Sequence, residues 1–143
     1  MIICRIMTYH LAILKKQYMD LILTGEKTVE SRFTKTRRAP FGGIKAGDRI
    51  FLKLSSGPVV ATAFARKVIF KDSLCPYQIE KIKQQYNQYI LGSDEFWDSV
   101  KKSRYATLVW LEKIEPIKPL KINKKDWRAW VILTKQKNFS LLQ

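Results

Sequence analysis

The sequence is poor in the residues that most often carry metal and nucleophile chemistry. Among 143 residues there are one histidine, His10, and two cysteines, Cys4 and Cys75. That inventory excludes every common zinc ligand pattern. A serine or cysteine triad would have to pass through His10, and nothing flanking it suggests one. The cysteines lack a framework spacing, so no disulfide scaffold is expected and a reducing cytoplasm suits the chain. No apolar run approaches the roughly 18–20 residues of a membrane span. The stretch from Met1 to Lys16 lacks a basic leader and a small-residue cleavage site, and Arg5 interrupts its apolar run, so no signal peptide is expected. Nothing calls for a cofactor or a metal. Acidic residues are scarce as well, 12 against 27 Lys plus Arg, for a net charge of +15.

The excess of positive charge falls in two blocks. Residues 34–70 carry eight basic groups and one acidic, and residues 101–143 carry eleven and three, while residues 71–100 are mildly acidic. Such a charge supplies sequence-independent affinity for phosphate backbones and speeds encounter with polyanions. An anionic membrane surface fits less well, because no stretch joins a basic face to a broad apolar one. With 46% hydrophobic residues the chain is clear of the disordered class. Its length is that of one domain, able to bury roughly 68–70% of its unfolded surface.

Periodicity orders the elements. Residues 10–14 read as a short buried strand. Gln17 to Leu23 places Tyr18, Leu21 and Ile22 at helical spacing, and Thr24-Gly25 ends that helix. Lys27 to Phe33 alternates, with Val29 and Phe33 on one face and Thr28, Glu30 and Arg32 on the other. Thr34 to Gly47 holds Lys35, Arg37, Arg38 and Lys45 without an acidic residue, a long loop that reads as a mobile basic flap. Gly47-Asp48 turns into a strand over 49–54, and Ser56-Gly57-Pro58 turns into a β-branched and aromatic run over 59–70. Helices are expected at 76–89 and 93–101, and strands at 105–114 and 127–133, before a polar end. Five or six strands with helices in the connections predict an α+β fold, a small mixed β-barrel with attached helices, in one domain spanning 1–143. The pattern does not order the strands.

The segment Leu21-Ile22-Leu23-Thr24-Gly25-Glu26-Lys27-Thr28-Val29-Glu30-Ser31-Arg32 resembles the signature of the ASCH domain family, a branch of the PUA-like β-barrels. Its pattern of Gly, any residue, Lys, two residues, Glu, any residue, Arg falls on Gly25, Lys27, Glu30 and Arg32. The Gly47-Asp48 turn before Ile50 matches a second family feature. The likeness covers about residues 10–115. It implies a barrel with a cleft near the motif and a role in RNA binding or RNA-related chemistry. Related small members hydrolyse acylated cytidine with a lysine at the position of Lys27 and a threonine where this chain has Glu30, so the lysine role carries over and the threonine role does not.

Glu30 and Arg32 share a strand face, about 7 Å apart at their Cα atoms, and Lys27, just past the Gly25 turn, can reach the same cleft. The plain alternative is a surface Arg32–Glu30 pair worth about 0–1 kcal/mol. If a base enters, Glu30 suits an exocyclic amine, and Arg32 offers a donor fork for a carbonyl or phosphate. Lys27 offers a point charge or, if desolvated, a nucleophile. The expected ligand-binding set is therefore Lys27, Glu30, Arg32, Lys35, Arg37, Arg38 and Lys45, with Lys27 and Glu30 catalytic if the chain is an enzyme. The readings are an RNA- or nucleotide-binding module, an enzyme on the same cleft (an amidohydrolase of N4-acylated cytidine or a ribonuclease), or a module whose basic face meets an acidic protein. Asp94, Glu95 and Asp98 read as helix N-terminal charges rather than a metal site. Trp110 and Trp130 read as core, whereas charge-flanked Trp97 and Trp127 are open to stacking on a base.

Overall fold

A computed structural model describes residues 6–122 and 128–133. Six strands and three helices follow in the order β1 (Tyr9–Leu14), α1 (Lys16–Leu23), β2 (Val29–Thr34), β3 (Arg49–Leu54), β4 (Val59–Lys71), α2 (Pro76–Ile90), α3 (Asp94–Val100), β5 (Tyr105–Leu120) and β6 (Trp130–Leu133). They form one sheet in the order β2-β5-β4-β3-β1-β6. β1 pairs with β3 in parallel, and every other pairing is antiparallel. No helix of the described residues is long and apolar enough to cross a membrane.

The sheet curls because its two long strands are irregular. β4 and β5 slip register three times, between Val59 and Ala61, Thr62 and Phe64, and Ala65 and Lys67. Each extra residue bends the strand and raises its twist. Lys113, at φ 52°, sits in one such irregularity. Side chains alternate between two cores along β1: Ala12 and Leu14 join the concave cluster, while Leu11 joins a smaller one with Val59, Val131 and Leu133. The concave face of β4 is Ala61, Ala63 and Ala65, all buried. These small side chains leave room for Met19 and Ile22 of α1 in the same cluster. α2 and α3 cover the convex side of β2 and β5, packing Ile79, Ile82, Ile90 and Trp97 on Val29, Leu108 and Trp110.

Two expectations change. β5 runs to Leu120, past Pro116 and Pro119, instead of ending at residue 114. β2 pairs with β5 only from Tyr105 to Trp110, with the Leu111 N–H still donating to the Thr28 carbonyl. Among the described residues no strand pairs that edge at Pro116 and Pro119, and a proline facing it costs no ladder bond. Trp97 is 5% exposed, buried in the second core, with its indole N–H donating to Asn87 Oδ1 at 3.0 Å. Stacking on a base is excluded for it. Trp110 and Trp130 are core as expected, and Trp127 lies outside the described residues.

Candidate functional site

Gly25, at φ +84°, ends α1 in the left-handed turn that glycine tolerates. The chain then re-enters the sheet with Lys27 N–H donating to the Leu21 carbonyl. This places the Lys27 side chain inside the molecule, 3% exposed. Its Nζ donates to the Val29 carbonyl at 2.8 Å and to the Ile90 carbonyl at the end of α2, and it lies 3.3 Å from Glu30 Oε1. Arg32 Nε and Nη2 both donate to Glu30 Oε2, at 3.1 and 2.6 Å. The three charges therefore meet, and Glu30, 6% exposed, is the carboxylate between two cations. The surface-pair alternative is displaced: Arg32 and Glu30 are joined inside the fold.

Arg32 has a second task. Nη2 donates to the Ile13 carbonyl at 2.8 Å and Nη1 to the Ala129 carbonyl at 3.1 Å. The guanidinium also lies over the Trp130 ring, 5.1 Å from its centroid. β2 and β6 are the two edges of the sheet, so Arg32 laces the β2 edge to the β1–β6 edge across the open seam of the half-barrel. Trp130 continues the chain of contacts, since its indole N–H donates to His10 Nδ1 at 3.0 Å. Nδ1 must then be an acceptor, which puts the ring proton on Nε2, 3.0 Å from Asp48 Oδ2. Asp48 also accepts the backbone N–H groups of Thr8 and Lys45.

Titration follows from burial and these partners. Burial is the largest influence on Lys27 and lowers its pKa, although Glu30 pulls the other way. Burial opposes the charge on Glu30, but Arg32 and Lys27 together outweigh it, and the carboxyl is held below its usual range. Glu30 is an ionised carboxylate in the interior. Burial likewise opposes Asp48, and its hydrogen bonds from His10, Lys45 and Thr8 prevail and lower its pKa. His10 is kept neutral mainly by burial.

A cleft of about 520 Å³ opens over the charged cluster. Tyr18, Phe33 and Phe96 are among its walls, and Ser93, Ser99, Lys15 and Glu95 bring polar groups to it. Tyr18 and Phe33 each meet Phe96 edge-on at about 6 Å. The Tyr18 hydroxyl accepts the Ser93 backbone N–H at 3.4 Å, and Ser93 caps α3 by accepting from Phe96 N–H. Of the expected binding residues, the structure brings Lys27, Glu30 and Arg32 to the cleft and leaves Lys35, Arg37, Arg38 and Lys45 out of its lining. The basic loop is also no loose flap. Phe41 packs on Phe70 and Tyr105, Ile44 is buried in the concave core, and the Arg37 guanidinium lies 5.1 Å from the Phe41 ring centroid. Lys45 pairs with Asp48 at 3.2 Å. The α3 residues of the cleft were missed in the sequence; the Ser93 cap just before them is the signal that places them. Asp94 and Glu95 stand in the first turn of α3, and Asp98 pairs with Lys101.

The fold and the buried Lys–Glu–Arg cluster define a curled α+β half-barrel with a charged cleft at its seam. Its architecture is that of the ASCH domain, as the motif led one to expect. The chain is similar to the crystal structure of an ASCH protein from Zymomonas mobilis, with a TM-score of 0.71 and 19% identity over 93% of this chain and 92% of that one. A tyrosine-to-phenylalanine mutant of the Zymomonas mobilis protein ZmASCH gives a TM-score of 0.69 at 20% identity, covering 89% of this chain and 91% of that one. No family model and no curated protein matches the sequence.

Proposed function

We propose that the protein binds RNA, or a modified nucleotide within it, in the cytoplasm, by holding a base in the cleft floored by Lys27, Glu30 and Arg32. The observation that supports this most is Glu30: an ionised carboxylate at the floor of a cleft with aromatic walls. An ionised carboxylate suits an exocyclic amine such as cytosine N4, and aromatic faces suit the ring that carries it. The Lys27 ammonium has its three N–H groups directed at Val29, Ile90 and Glu30, so it acts through charge. Arg32 uses four of its five N–H groups internally, which leaves one for a ligand. Lys35, Arg37, Arg38 and Lys45 lie outside the cleft and supply contacts to a phosphate backbone. The test is anisotropy of a short single-stranded RNA, with cytidine, N4-acetylcytidine and uridine as competitors. The expected result is binding that weakens with salt and competition by cytidine ahead of uridine. No binding at low salt would overturn the proposal.

One observation favours a second reading, hydrolysis of N4-acylated cytidine: burial lowers the Lys27 pKa toward the range where an amine is nucleophilic. Against it, Glu30 stands where the hydrolases that share the motif have threonine. Turnover of N4-acetylcytidine that vanishes in Lys27→Arg would favour this reading, because arginine stays protonated and cannot attack.

A further inference from the structure

A second pocket, about 730 Å³, lies against the first. Ile13 and Ala129 line both, so the wall between the pockets is the backbone pair that Arg32 holds together. The chemistry on the far side of that wall is different. Lys53, Lys121 and Arg128 bring three cationic side chains, Ser55 and Ser56 bring hydroxyls, and none of the described residues lining it is acidic. Lys53 is the unusual member. It is 9% exposed, and among the described residues its Nζ makes one hydrogen bond, to the carbonyl of its own neighbour Leu54. Alternation along β3 puts Leu52 in the concave cluster and turns Lys53 to the opposite face, across from Val59 of the smaller cluster, so both are buried in succession. Among the described residues no carboxylate pairs with it, and a cation held largely out of water gains from a ligand of opposite charge. Its pKa is lowered by burial.

We propose that this second pocket is a phosphate subsite, taking the phosphate ester attached to the nucleoside in the first cleft. The ligand is then a nucleotide or a strand rather than a free nucleoside, lying across Ile13 and Ala129 with its base on one side and its phosphate on the other. This rests on the base-binding reading of the first cleft for its register, and on the cations of the second pocket for its chemistry.

Two arms of one experiment separate those dependencies. In the first, calorimetry compares cytidine, cytidine 3′-monophosphate, cytidine 5′-monophosphate and a short oligocytidylate on wild type and Lys53→Met. Methionine keeps the length and burial of the stem and removes the charge, so the variant should fold with at least wild-type thermal stability. The phosphate should strengthen wild-type binding about tenfold or more, the scale of one charge-assisted hydrogen bond. Lys53→Met should lose that gain and keep the affinity for cytidine. A gain confined to one monophosphate identifies the ester that reaches the pocket, and a gain with the oligonucleotide alone identifies an internal phosphodiester. In the second arm, phosphorus NMR of inorganic phosphate reads the subsite without a base: broadening in wild type should disappear in Lys53→Met. Cytidine that fails to bind, with the phosphate signal intact, overturns the base cleft and leaves the subsite standing. Phosphate that adds nothing to wild type, or a gain and broadening that survive in Lys53→Met, overturns the subsite.

Discussion

Replacing Glu30 with Gln keeps its size and removes the charge that two cations share. The variant leaves Lys27 facing two carbonyls and an amide, and Arg32 donating twice to a neutral oxygen. Lys27, Glu30 and Arg32 side chains are 2%, 9% and 15% exposed, so solvent screens none of them well. Removing one partner of a buried pair costs about 3–5 kcal/mol. Gln retains an acceptor, so the expected loss is at the lower end, about 3 kcal/mol, against about 0–1 kcal/mol for a solvated pair. A domain of this size holds about 7–20 kcal/mol in all, and the loss corresponds to a fall of about 10 °C in Tm. Lys27, already lowered by burial, loses the carboxylate that opposed the shift. Its folded pKa then lies further below the unfolded 10.5, so the unfolded state binds more protons over that interval. The deficit should therefore shrink as pH rises toward 10.5. The assay is denaturant unfolding near neutral and at alkaline pH, with Lys27→Met and the double variant completing a cycle. The double variant should recover at least about 1 kcal/mol relative to the sum of the single losses. A loss under about 0.5 kcal/mol, no pH trend and additive singles would refute the buried cluster.

Arg32→Lys keeps a charge but cannot reach both seam carbonyls, so it should cost about 2 kcal/mol in unfolding experiments; near-wild-type stability would mean that the seam closes without Arg32. His10 has a folded pKa below 6.5, so above that pH neither state is charged and its contribution is fully present. As pH falls below 6.5 the unfolded chain takes a proton that the fold refuses, and stability should drop by up to about 1.4 kcal/mol per pH unit. Melts between pH 6.5 and about 5, above the range of the lowered carboxylates, should show that slope in wild type and not in His10→Gln; equal slopes would sink the assignment. Arg37→Ala with Arg38→Ala should flatten the dependence of log affinity for RNA on log salt by about 1–2 units, and an unchanged slope would remove the loop from the interface.

Local signals carried most of the elements. The Thr24-Gly25 stop, Pro76 at the start of α2 and Ser93 before α3 each mark a boundary through backbone chemistry that acts within a few residues. What the sequence left dark depends on neighbours in space. Pro116 and Pro119 look like strand breakers until β2 is seen to stop short of them. Trp97 looks solvated between Phe96 and Asp98, but the helix turns it onto Phe33 and Asn87. Lys35, Arg37 and Arg38 read as a mobile basic flap beside the motif strand, because the stretch is long, glycine-bearing and without acidic residues. They stand outside the cleft lining, and the segment is held by Phe41, which packs on Phe70 and Tyr105 and carries the Arg37 guanidinium on its ring, contacts made by residues distant in the chain.

The two halves of the motif are separated in sequence and joined in space. Gly25 to Arg32 and the Gly47-Asp48 turn lie far apart in the chain, and no spacing rule connects them. Their link runs from Glu30 to Arg32, over the face of Trp130, through its indole N–H to His10 and on to Asp48. Each group in that line is buried or half-buried, and a buried polar group is tolerated when its neighbour satisfies it. The line also fixes the edge strands that no backbone ladder joins, since Arg32 stands on β2 and Trp130 on β6. Arg32, part of the cleft floor, is thus also the residue that laces the half-barrel's seam. Under the proposed base-binding reading, a ligand at Glu30 would meet a floor preorganised by contacts that the free protein needs for its own stability.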